Sequence, residues 1–206
     1  MHPLLGVLIA YLAGSIPFAY LAGRANGIDL RTQGSGNLGA TNAMRVLGPK
    51  WGILVYVADT LKGAIPVLAL PPLVQSSRAD LWAIVFGVAA IVGHVRPIFL
   101  MGQGGGKGVA TTGGVFFGLS WLATLIAFFS FLGAVALTRR VSVGSLTAAV
   151  VLPTVLIIER GVRDPLSIMC VVIAIFVIWL HRGNISRIRA GTEPRIDMKK
   201  SAGTGT

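Results

Sequence analysis

Three polar, glycine-rich segments interrupt an otherwise apolar chain, and each sets an amide or hydroxyl side chain beside a basic residue. They are residues 35–45, 102–107 and 181–184. Glycines let consecutive backbone N–H groups point inward around an anion, and a neighbouring arginine or lysine supplies positive charge. This pattern indicates a site that handles phosphate groups.

The first segment has the densest set of hydrogen-bond donors. It contains a G-x-G-x-x-G match, but no strand precedes it and no βαβ unit follows, which excludes a dinucleotide fold. A glycine turn followed by a capped helix explains the segment taken alone as well as a binding site does. As a binding site it would offer the short donors and flexible backbone of Ser35, Gly36, Asn37, Thr41 and Asn42, with Arg45 as a bidentate fork.

The second segment invites comparison with the nucleotide P-loop and does not match it. Met101 stands where the first glycine is needed, and Gly108 follows Lys107 where serine or threonine should hold magnesium. What remains is a flexible cradle with one lysine charge that opens into an apolar helix, although a mobile interfacial loop is the simple alternative. The candidate binding residues here are Gly104, Gly105, Gly106 and Thr111, with Lys107 as the cation.

The third segment begins where an apolar run ends. Its downstream arginines and lysines are best explained as a membrane anchor on the cytoplasmic side. His181 and Asn184 lie nearer the apolar run and are candidates for the site. Glu193 is a candidate either for substrate binding or for orienting a basic residue.

The composition predicts an integral membrane protein. Of 206 residues, 54% are hydrophobic and 12% charged, and the mean hydropathy is +0.78. Cys170 is the only cysteine, which excludes an intrachain disulfide. The net charge of +11 resides in loops between apolar runs. Anionic lipid headgroups and anionic substrates are therefore expected as partners, and nucleic acid is not.

The apolar runs predict an all-α, polytopic helix bundle formed by a single domain, residues 1–206. The first run is expected to be a retained span, because no basic residue precedes it, and residues 201–206 to be a disordered tail. The candidate spans are residues 4–22, 51–70, 81–100, 109–137, 141–158 and 165–180.

Charge in the loops sets the topology. Basic residues between positions 24 and 50 and again after Leu180 place both segments in the cytoplasm. A single crossing by residues 109–137 would put the basic tail on the wrong face. We therefore expect two passes, a short leg ending near Gly118 and a second from Trp121, which gives about seven membrane segments with one short or re-entrant. A five-span alternative holds if this stretch stays in the bundle without crossing.

Asp59 and Lys62 are ionisable residues deep in the second apolar run. Unpaired charges there would be costly, and residues three apart on a helix can face each other. We expect an ion pair that braces the motif loops in preference to direct substrate contact.

In order and spacing, these segments resemble the bacterial integral-membrane glycerol-3-phosphate acyltransferases that use acyl phosphate as donor. Residues 34–45 match the family's GSGN-x-GATN-x-x-R run throughout. The second family motif corresponds to His94, Pro97 and residues 105–111, and the third to positions between 181 and 193. One departure bears on donor affinity and loop order. Gln103-Gly104 stand where the family usually has an aromatic and a basic residue.

The resemblance implies transfer of a fatty acyl group from acyl phosphate to the 1-hydroxyl of glycerol 3-phosphate, giving lysophosphatidic acid and inorganic phosphate. This is the first step of phospholipid synthesis. The expected partners are these two substrates, membrane lipid and an acyl-phosphate-producing enzyme, with no cofactor and no metal. The enzyme is expected in the bacterial cytoplasmic (inner) membrane, with its site facing the cytoplasm.

The group that takes the hydroxyl proton stays open at this point. The residues five after each histidine are Val7, Phe99 and Ser186, so the histidine-aspartate pair of soluble acyltransferases is absent. Acyl phosphate is an activated anhydride, and a phosphate oxygen of a bound substrate is our first hypothesis for the acceptor, with His181 as general base the second. The residues expected to hold the reacting geometry are Ser35, Arg45, Lys107, His181 and Asn184.

Two other classes of function compete with the enzyme. An organophosphate transporter also needs basic residues and glycine-broken helices, but it tends to place them at the bilayer midplane in repeated halves. Here the polar motifs are expected on one face, and no internal repeat is evident. A non-catalytic interaction protein would not need such dense donor clusters.

Overall fold

The computed structural model describes residues 1–196, and within that range every regular element is a helix. The predicted all-α fold is confirmed. The predicted tail at residues 201–206 lies outside the described residues. The α-helices are α1 (Pro3–Ser15), α2 (Phe18–Ala25), α3 (Ala40–Leu47), α4 (Pro49–Ala69), α5 (Ala79–Val95), α6 (Val109–Leu119), α7 (Trp121–Thr138), α8 (Val141–Arg160), α9 (Pro165–Leu180) and α10 (Arg182–Arg189).

The membrane segments agree with the predicted count of about seven. Among the described residues, five helical stretches are long and apolar enough to cross a membrane, and the pair α9 and α10, bent by 56°, makes a sixth. Helix α6 has 11 residues, so it covers about 16 Å of a hydrocarbon core of roughly 30 Å. The predicted division of residues 109–137 is confirmed, because one helix ends at Leu119 and the next begins at Trp121.

The first span differs from the single uninterrupted helix suggested by its hydropathy. Helix α1 ends at Ser15 and α2 begins at Phe18. Pro17 has no N–H to donate and disfavours helical backbone at Ile16, so the helix breaks at this pair. The break turns the Ile16 carbonyl toward α4, where it accepts a hydrogen bond from Lys62 Nζ at 2.7 Å.

Small residues let α4 and α6 pack closely in the first compact unit, Met1–Leu119. Gly63 of α4 lies against the backbone carbonyl of Thr111, and Gly114 of α6 lies against that of Thr60. A side chain at either glycine would collide with backbone. This is the packing expected of membrane helices, which associate through small residues that let backbones approach. It shields the short helix α6 along one face.

Helices α1 and α5 meet in the same way. Gly14 lies against the backbone of Ala90, and Gly93 against the backbone at Tyr11. The Tyr11 hydroxyl donates to the Arg96 carbonyl at 2.9 Å, just beyond the end of α5. These contacts fix the end of α5, from which the glycine-rich segment follows.

The second compact unit begins at Ser120 and is built on α7, α8 and α9. Asp164 caps α9 by accepting from the backbone N–H of Leu166 at 2.9 Å. After α10 the chain returns to α7, and the Ile196 N–H donates to the Arg139 carbonyl at 2.7 Å. This return brings Glu193 back toward α10.

Candidate functional site

Asn42 holds the first motif segment in a closed turn. Its side chain is 1% exposed. Its Oδ1 accepts from the Ser35 N–H at 2.8 Å, and its Nδ2 donates to the carbonyls of Leu30 at 3.2 Å and Gln33 at 3.0 Å. Gly34, with φ +61°, passes so close to Oδ1 that no side chain would fit. Asn42, predicted as a substrate ligand, thus has its amide committed to the loop, and direct substrate contact by it stays a prediction.

The turn presents the other predicted residues of this segment outward. Ser35 and Arg45 are exposed, and Gly36, Asn37 and Thr41 are half-buried. Arg45 lies in the last turn of α3. The hydroxyl of Ser35 and the guanidinium of Arg45 are therefore accessible from outside while Asn42 fixes the backbone beneath them, and their contact with substrate stays a prediction.

The glycine-rich segment folds tightly against the end of α5. Gly105 lies against the carbonyls of His94 and Val95, and Gly106 lies against the His94 ring and the Leu38 carbonyl. A side chain at either glycine would collide with these groups. Because Leu38 belongs to the first motif, the structure confirms that the first two motif segments lie side by side. Lys107, half-buried, follows directly.

Arg31 is a second cation beside the glycine-rich segment, and the sequence did not identify it as part of the site. A Cβ at Gly104 would lie 3.3 Å from Arg31 Cδ. The guanidinium pairs with Asp29 at 2.6 Å and stacks over the Tyr20 ring at 5.0 Å. Hydrogen bonds from Arg31 lower the pKa of Asp29 to about 2. The Asp-x-Arg spacing just before the first motif was the signal that could have identified it.

A cleft of about 200 Å³, counted with its open mouth, lies between the helix break in the first span and the glycine-rich segment. Sequence reasoning left the break out of the site. Pro17 inside an apolar run was the signal. The lining residues are Ser15, Ile16, Pro17, Phe18, Leu38, Asp59, Lys62, His94, Pro97, Gly104, Gly105 and Gly106.

Asp59, Lys62 and His94 form a buried cluster of ionisable side chains in the wall of this cleft. Their exposed fractions are 2%, 6% and 6%. Lys62 Nζ lies 2.8 Å from Asp59 Oδ1, and His94 Nδ1 lies 3.6 Å from the same oxygen. The predicted intrahelical ion pair is confirmed. The cluster also joins α5 and the break at Ile16, neither of which the sequence connected with it.

Thr111 does not face the cleft in this structure. It is fully buried, with its carbonyl against Gly63 of α4. Its predicted role in substrate binding stays a prediction. The structure instead gives Thr111 a place in the interface that carries the glycine-rich segment.

In the second unit, His181, Asn184 and Glu193 are all buried at the junction of α9 and α10. His181 Nδ1 lies 2.8 Å from the Val177 carbonyl, an acceptor only, so this nitrogen carries the proton. Asn184 Nδ2 donates to Glu193 Oε1 at 2.7 Å, and Arg187 Nε donates to Glu193 Oε2 at 2.8 Å. Glu193 orients a basic residue of the motif, which was one of the two expectations.

The Glu193 carboxylate keeps its charge because its neighbours compensate for burial. Burial alone would raise its pKa, but hydrogen bonds from Asn184 and Arg187 and the positive charge of Arg187 outweigh that effect and hold the pKa below its usual range. An ionised Glu193 can accept from both partners at once. The carboxylate thus fixes the Asn184 amide, and its direct contact with substrate stays a prediction.

Comparison with known proteins agrees with this geometry. The family model described as glycerol-3-phosphate acyltransferase matches residues 4–191. The chain belongs to the glycerol-3-phosphate acyltransferase family. The chain is 48% identical to the Geobacter sulfurreducens glycerol-3-phosphate acyltransferase over 95% of its own length and 98% of that relative. It is 42% identical to the Aquifex aeolicus member, covering 95% of this chain and 100% of that relative.

Solved structures of the family have the same fold. PlsY, an integral membrane glycerol 3-phosphate acyltransferase, superposes in its glycerol 3-phosphate form with a TM-score of 0.89 at 38% identity, covering 96% of this chain and 97% of that one. Its lysophosphatidic acid form gives 0.84 at 37% identity, with 97% of both chains covered. The chain is thus an integral membrane acyltransferase, and the transporter and scaffold alternatives fall away.

Proposed function

We propose that this protein transfers a fatty acyl group from acyl phosphate to the 1-hydroxyl of glycerol 3-phosphate. The products are lysophosphatidic acid and inorganic phosphate. The observation that carries the proposal is the contact between the first two family motifs. Gly106 lies against the Leu38 carbonyl, so the cations and backbone N–H groups of both motifs can serve two phosphate-bearing substrates together.

The glycine-rich segment is assigned to the donor. Its backbone can approach a phosphate closely, and Lys107 supplies a cation beside it. It leads directly into the apolar helix α6. A donor held here keeps its phosphate in water while its acyl chain lies in the bilayer, which suits an amphiphilic substrate.

The first motif is assigned to the acceptor. Arg45 is suited to a phosphate because its guanidinium can donate two parallel hydrogen bonds. Ser35 adds a hydroxyl beside the turn. His181 and Asn184 are catalytic candidates whose orientation is set by Val177 and Glu193. The solved PlsY structures, one a glycerol 3-phosphate form and the other a lysophosphatidic acid form, support an acceptor and a product of this class.

The chemistry is displacement at the acyl carbon. The 1-hydroxyl oxygen of the acceptor attacks the carbonyl, a C–O ester bond forms, and the bond from carbon to phosphate oxygen breaks. The hydroxyl proton passes to a phosphate oxygen of a bound substrate, and inorganic phosphate leaves. Positive groups around both phosphates offset their mutual repulsion and stabilise charge on the carbonyl oxygen.

His181 is the alternative proton acceptor. With Nδ1 bonded to a carbonyl, a neutral ring would take the proton at Nε2. A positioned base is worth roughly 10²- to 10⁴-fold in rate. His181→Ala should therefore lower kcat by at least about 100-fold if His181 is the base, whereas near-full turnover would leave the substrate-assisted route.

The protein is proposed to lie in the bacterial cytoplasmic membrane with its motif loops facing the cytoplasm. This orientation follows from the basic residues between positions 24 and 50 and after Leu180. It would expose the donor loop to an acyl-phosphate-producing enzyme, with which a direct contact is proposed. In the variant Gln33→Cys, a thiol reagent that does not cross the membrane should leave the new cysteine unlabelled in intact spheroplasts. The same reagent should label it once the membrane is opened.

The experiment that tests the activity uses purified protein in detergent with labelled glycerol 3-phosphate and palmitoyl phosphate. Labelled lysophosphatidic acid is the expected product. Arg45→Ala should reduce its formation by about 100-fold or more, and Lys50→Ala, an exposed cation five residues away, should leave it unchanged. Uptake of label by protein-containing vesicles without lipid product would overturn the proposal.

A further inference from the structure

We propose that the outer face of α10 binds the phosphate headgroup of an anionic phospholipid. This face consists of Arg182, Ser186 and Arg189, which are exposed and whose spacing of four and three residues places them on one side of the helix. The lipid would lie in the leaflet that the end of α9 reaches, with its acyl chains beside that helix. The inference goes beyond acyl transfer, because this face carries none of the residues assigned to substrate.

The lipid-facing side of α9 leads directly to the outer face of α10. Ile168, Val172, Ile175 and Trp179 form a stripe along α9, with exposed fractions of 51%, 59%, 63% and 51%. Their spacing of three or four residues places them on one side of the helix. No charged residue occurs within α9. An apolar surface that suits acyl chains therefore ends at Trp179, and a positive surface begins one turn later at Arg182.

The length of α9 puts this transition at the level of the headgroups. Its 16 residues span about 24 Å, less than a hydrocarbon core of roughly 30 Å. The residues at its ends therefore lie near the membrane boundary, where tryptophan is enriched and arginine side chains extend toward the headgroups. The chain bends by 56° between α9 and α10. Helix α10 thus leaves the direction of the span where the apolar stripe ends.

Arg182 is held in a position to bind before any ligand arrives. Its guanidinium lies 4.3 Å from the centre of the Trp179 ring, and its Nη1 donates to the Trp179 carbonyl at 3.2 Å. The same ring stacks on Phe176 at 5.9 Å. A guanidinium has five N–H donors in a fixed plane, so this hydrogen bond leaves donors for a phosphate oxygen. Because the side chain is already ordered, binding costs less conformational entropy.

The charge on this face is not neutralised by the protein around it. Residues 182–195 contain four arginines and one glutamate. The Glu193 carboxylate is paired with Arg187 at 2.8 Å. Within the described part of the chain, neither Arg182 nor Arg189 forms a salt bridge. Positive charge at a membrane boundary attracts anionic headgroups.

A phospholipid fits this surface better than a free phosphate ion does. A phosphate ion could engage the two arginines and the Ser186 hydroxyl, but it would leave the apolar stripe of α9 unused. A phospholipid uses both surfaces at once, because its headgroup meets the outer face of α10 while its chains lie against α9. The continuity of the two surfaces at Trp179 and Arg182 therefore favours a lipid.

The test removes the charge of the outer face and compares two lipids. The double variant Arg182→Gln, Arg189→Gln is titrated in detergent with phosphatidylglycerol and with phosphatidylcholine, and native mass spectrometry measures the fraction of protein that carries a lipid. The matched control is Arg160→Gln, Arg163→Gln, which removes two exposed arginines near the opposite end of α9. Thermal unfolding checks that both variants are folded.

The expected selectivity follows from the two charges. One arginine near an anionic surface contributes about fivefold in affinity, so two contribute about 25-fold. We expect the unaltered protein and the control to bind phosphatidylglycerol about 25-fold more tightly than phosphatidylcholine, and the double variant to bind the two lipids equally. Trp179→Leu keeps an apolar side chain but removes the ring beneath Arg182, and it should lose about fivefold of the selectivity.

Several outcomes would overturn the proposal. Equal binding of the two lipids by the unaltered protein would do so, as would selectivity that persists in the double variant. Inorganic phosphate is added at constant ionic strength as a competitor. If it displaces phosphatidylglycerol as well as a short-chain phosphatidylglycerol does, the site recognises the ion alone. A protein dimer that replaces bound lipid and is lost in the double variant would identify a second copy as the occupant. None of these measurements depends on acyl transfer, so failure of the proposed function is distinguishable from failure of this inference.

Discussion

Replacing Asn42 by alanine should loosen the first motif without unfolding the protein. Asn42 is 1% exposed and makes three hydrogen bonds to the loop before it. Alanine would leave the Ser35 N–H and the carbonyls of Leu30 and Gln33 without these partners. The affected loop only connects α2 to α3. We therefore expect the effect to be local to that loop.

The size of the effect follows from the number of bonds. A protein hydrogen bond contributes about 1 kcal/mol net, so three contribute about 3 kcal/mol to closure of the loop. Each 1.4 kcal/mol is tenfold in an equilibrium constant, and 3 kcal/mol therefore corresponds to an opening constant about 100-fold larger. The Ser35 amide, which loses its acceptor, should show this increase most fully.

Hydrogen exchange of the Ser35 peptide measures the opening, and the KM for glycerol 3-phosphate should rise with it. Asn26→Ala is the matched control, because Asn26 makes a single side-chain hydrogen bond to the Ala22 carbonyl at the end of its own helix. The control should change exchange at Ser35 less than twofold. Equal effects of the two substitutions would refute the argument that Asn42 closes this loop.

Two further predictions concern packing and pH. In Gly63→Ala, the new side chain would collide with the Thr111 carbonyl. Thermal unfolding should therefore show an unfolding free energy lower by about 1–3 kcal/mol. Gly113→Ala is the control and should not lower it, because its new side chain would meet open space. Because the pKa of Glu193 is lowered by folding, its stabilising contribution is present above about pH 4.5 and lost as the pH falls through its folded value. In Glu193→Gln, the loss of stability on acidification should therefore be smaller than in the unaltered protein. Glu159→Gln, which changes an exposed carboxylate, should leave that loss unchanged.

The sequence could predict the membrane architecture because charge and hydropathy are local properties. The division of residues 109–137 followed from the side on which the basic loops must lie, and the structure places the break at Ser120. The break at Pro17 was missed because apolar residues dominate on both sides of it, and averaged hydropathy over Pro3–Ala25 remains that of one span. Proline chemistry, rather than apolarity, decided the local structure there.

The proximity of the first two motifs was predictable from the sequence, and the contacts of individual side chains were less so. Glycines, amides and cations indicated phosphate, and the contact of the first two motifs is present. Whether an amide or carboxylate side chain faces a ligand or the protein depends on partners that are distant in sequence. Asn42 turns toward the loop at Leu30 and Gln33, and Glu193 toward Asn184. His94 lies against Asp59 and Gly106, which belong to other segments and are not its neighbours in sequence.

The most direct test of the central claim is the stoichiometry of the reaction catalysed by the purified protein. With glycerol 3-phosphate and palmitoyl phosphate, we expect one inorganic phosphate released for each lysophosphatidic acid formed, and loss of both products together in Arg45→Ala and Lys107→Ala. Lipid formed from a thioester donor without release of phosphate, or phosphate released without lipid, would contradict acyl transfer between two phosphate-bearing substrates.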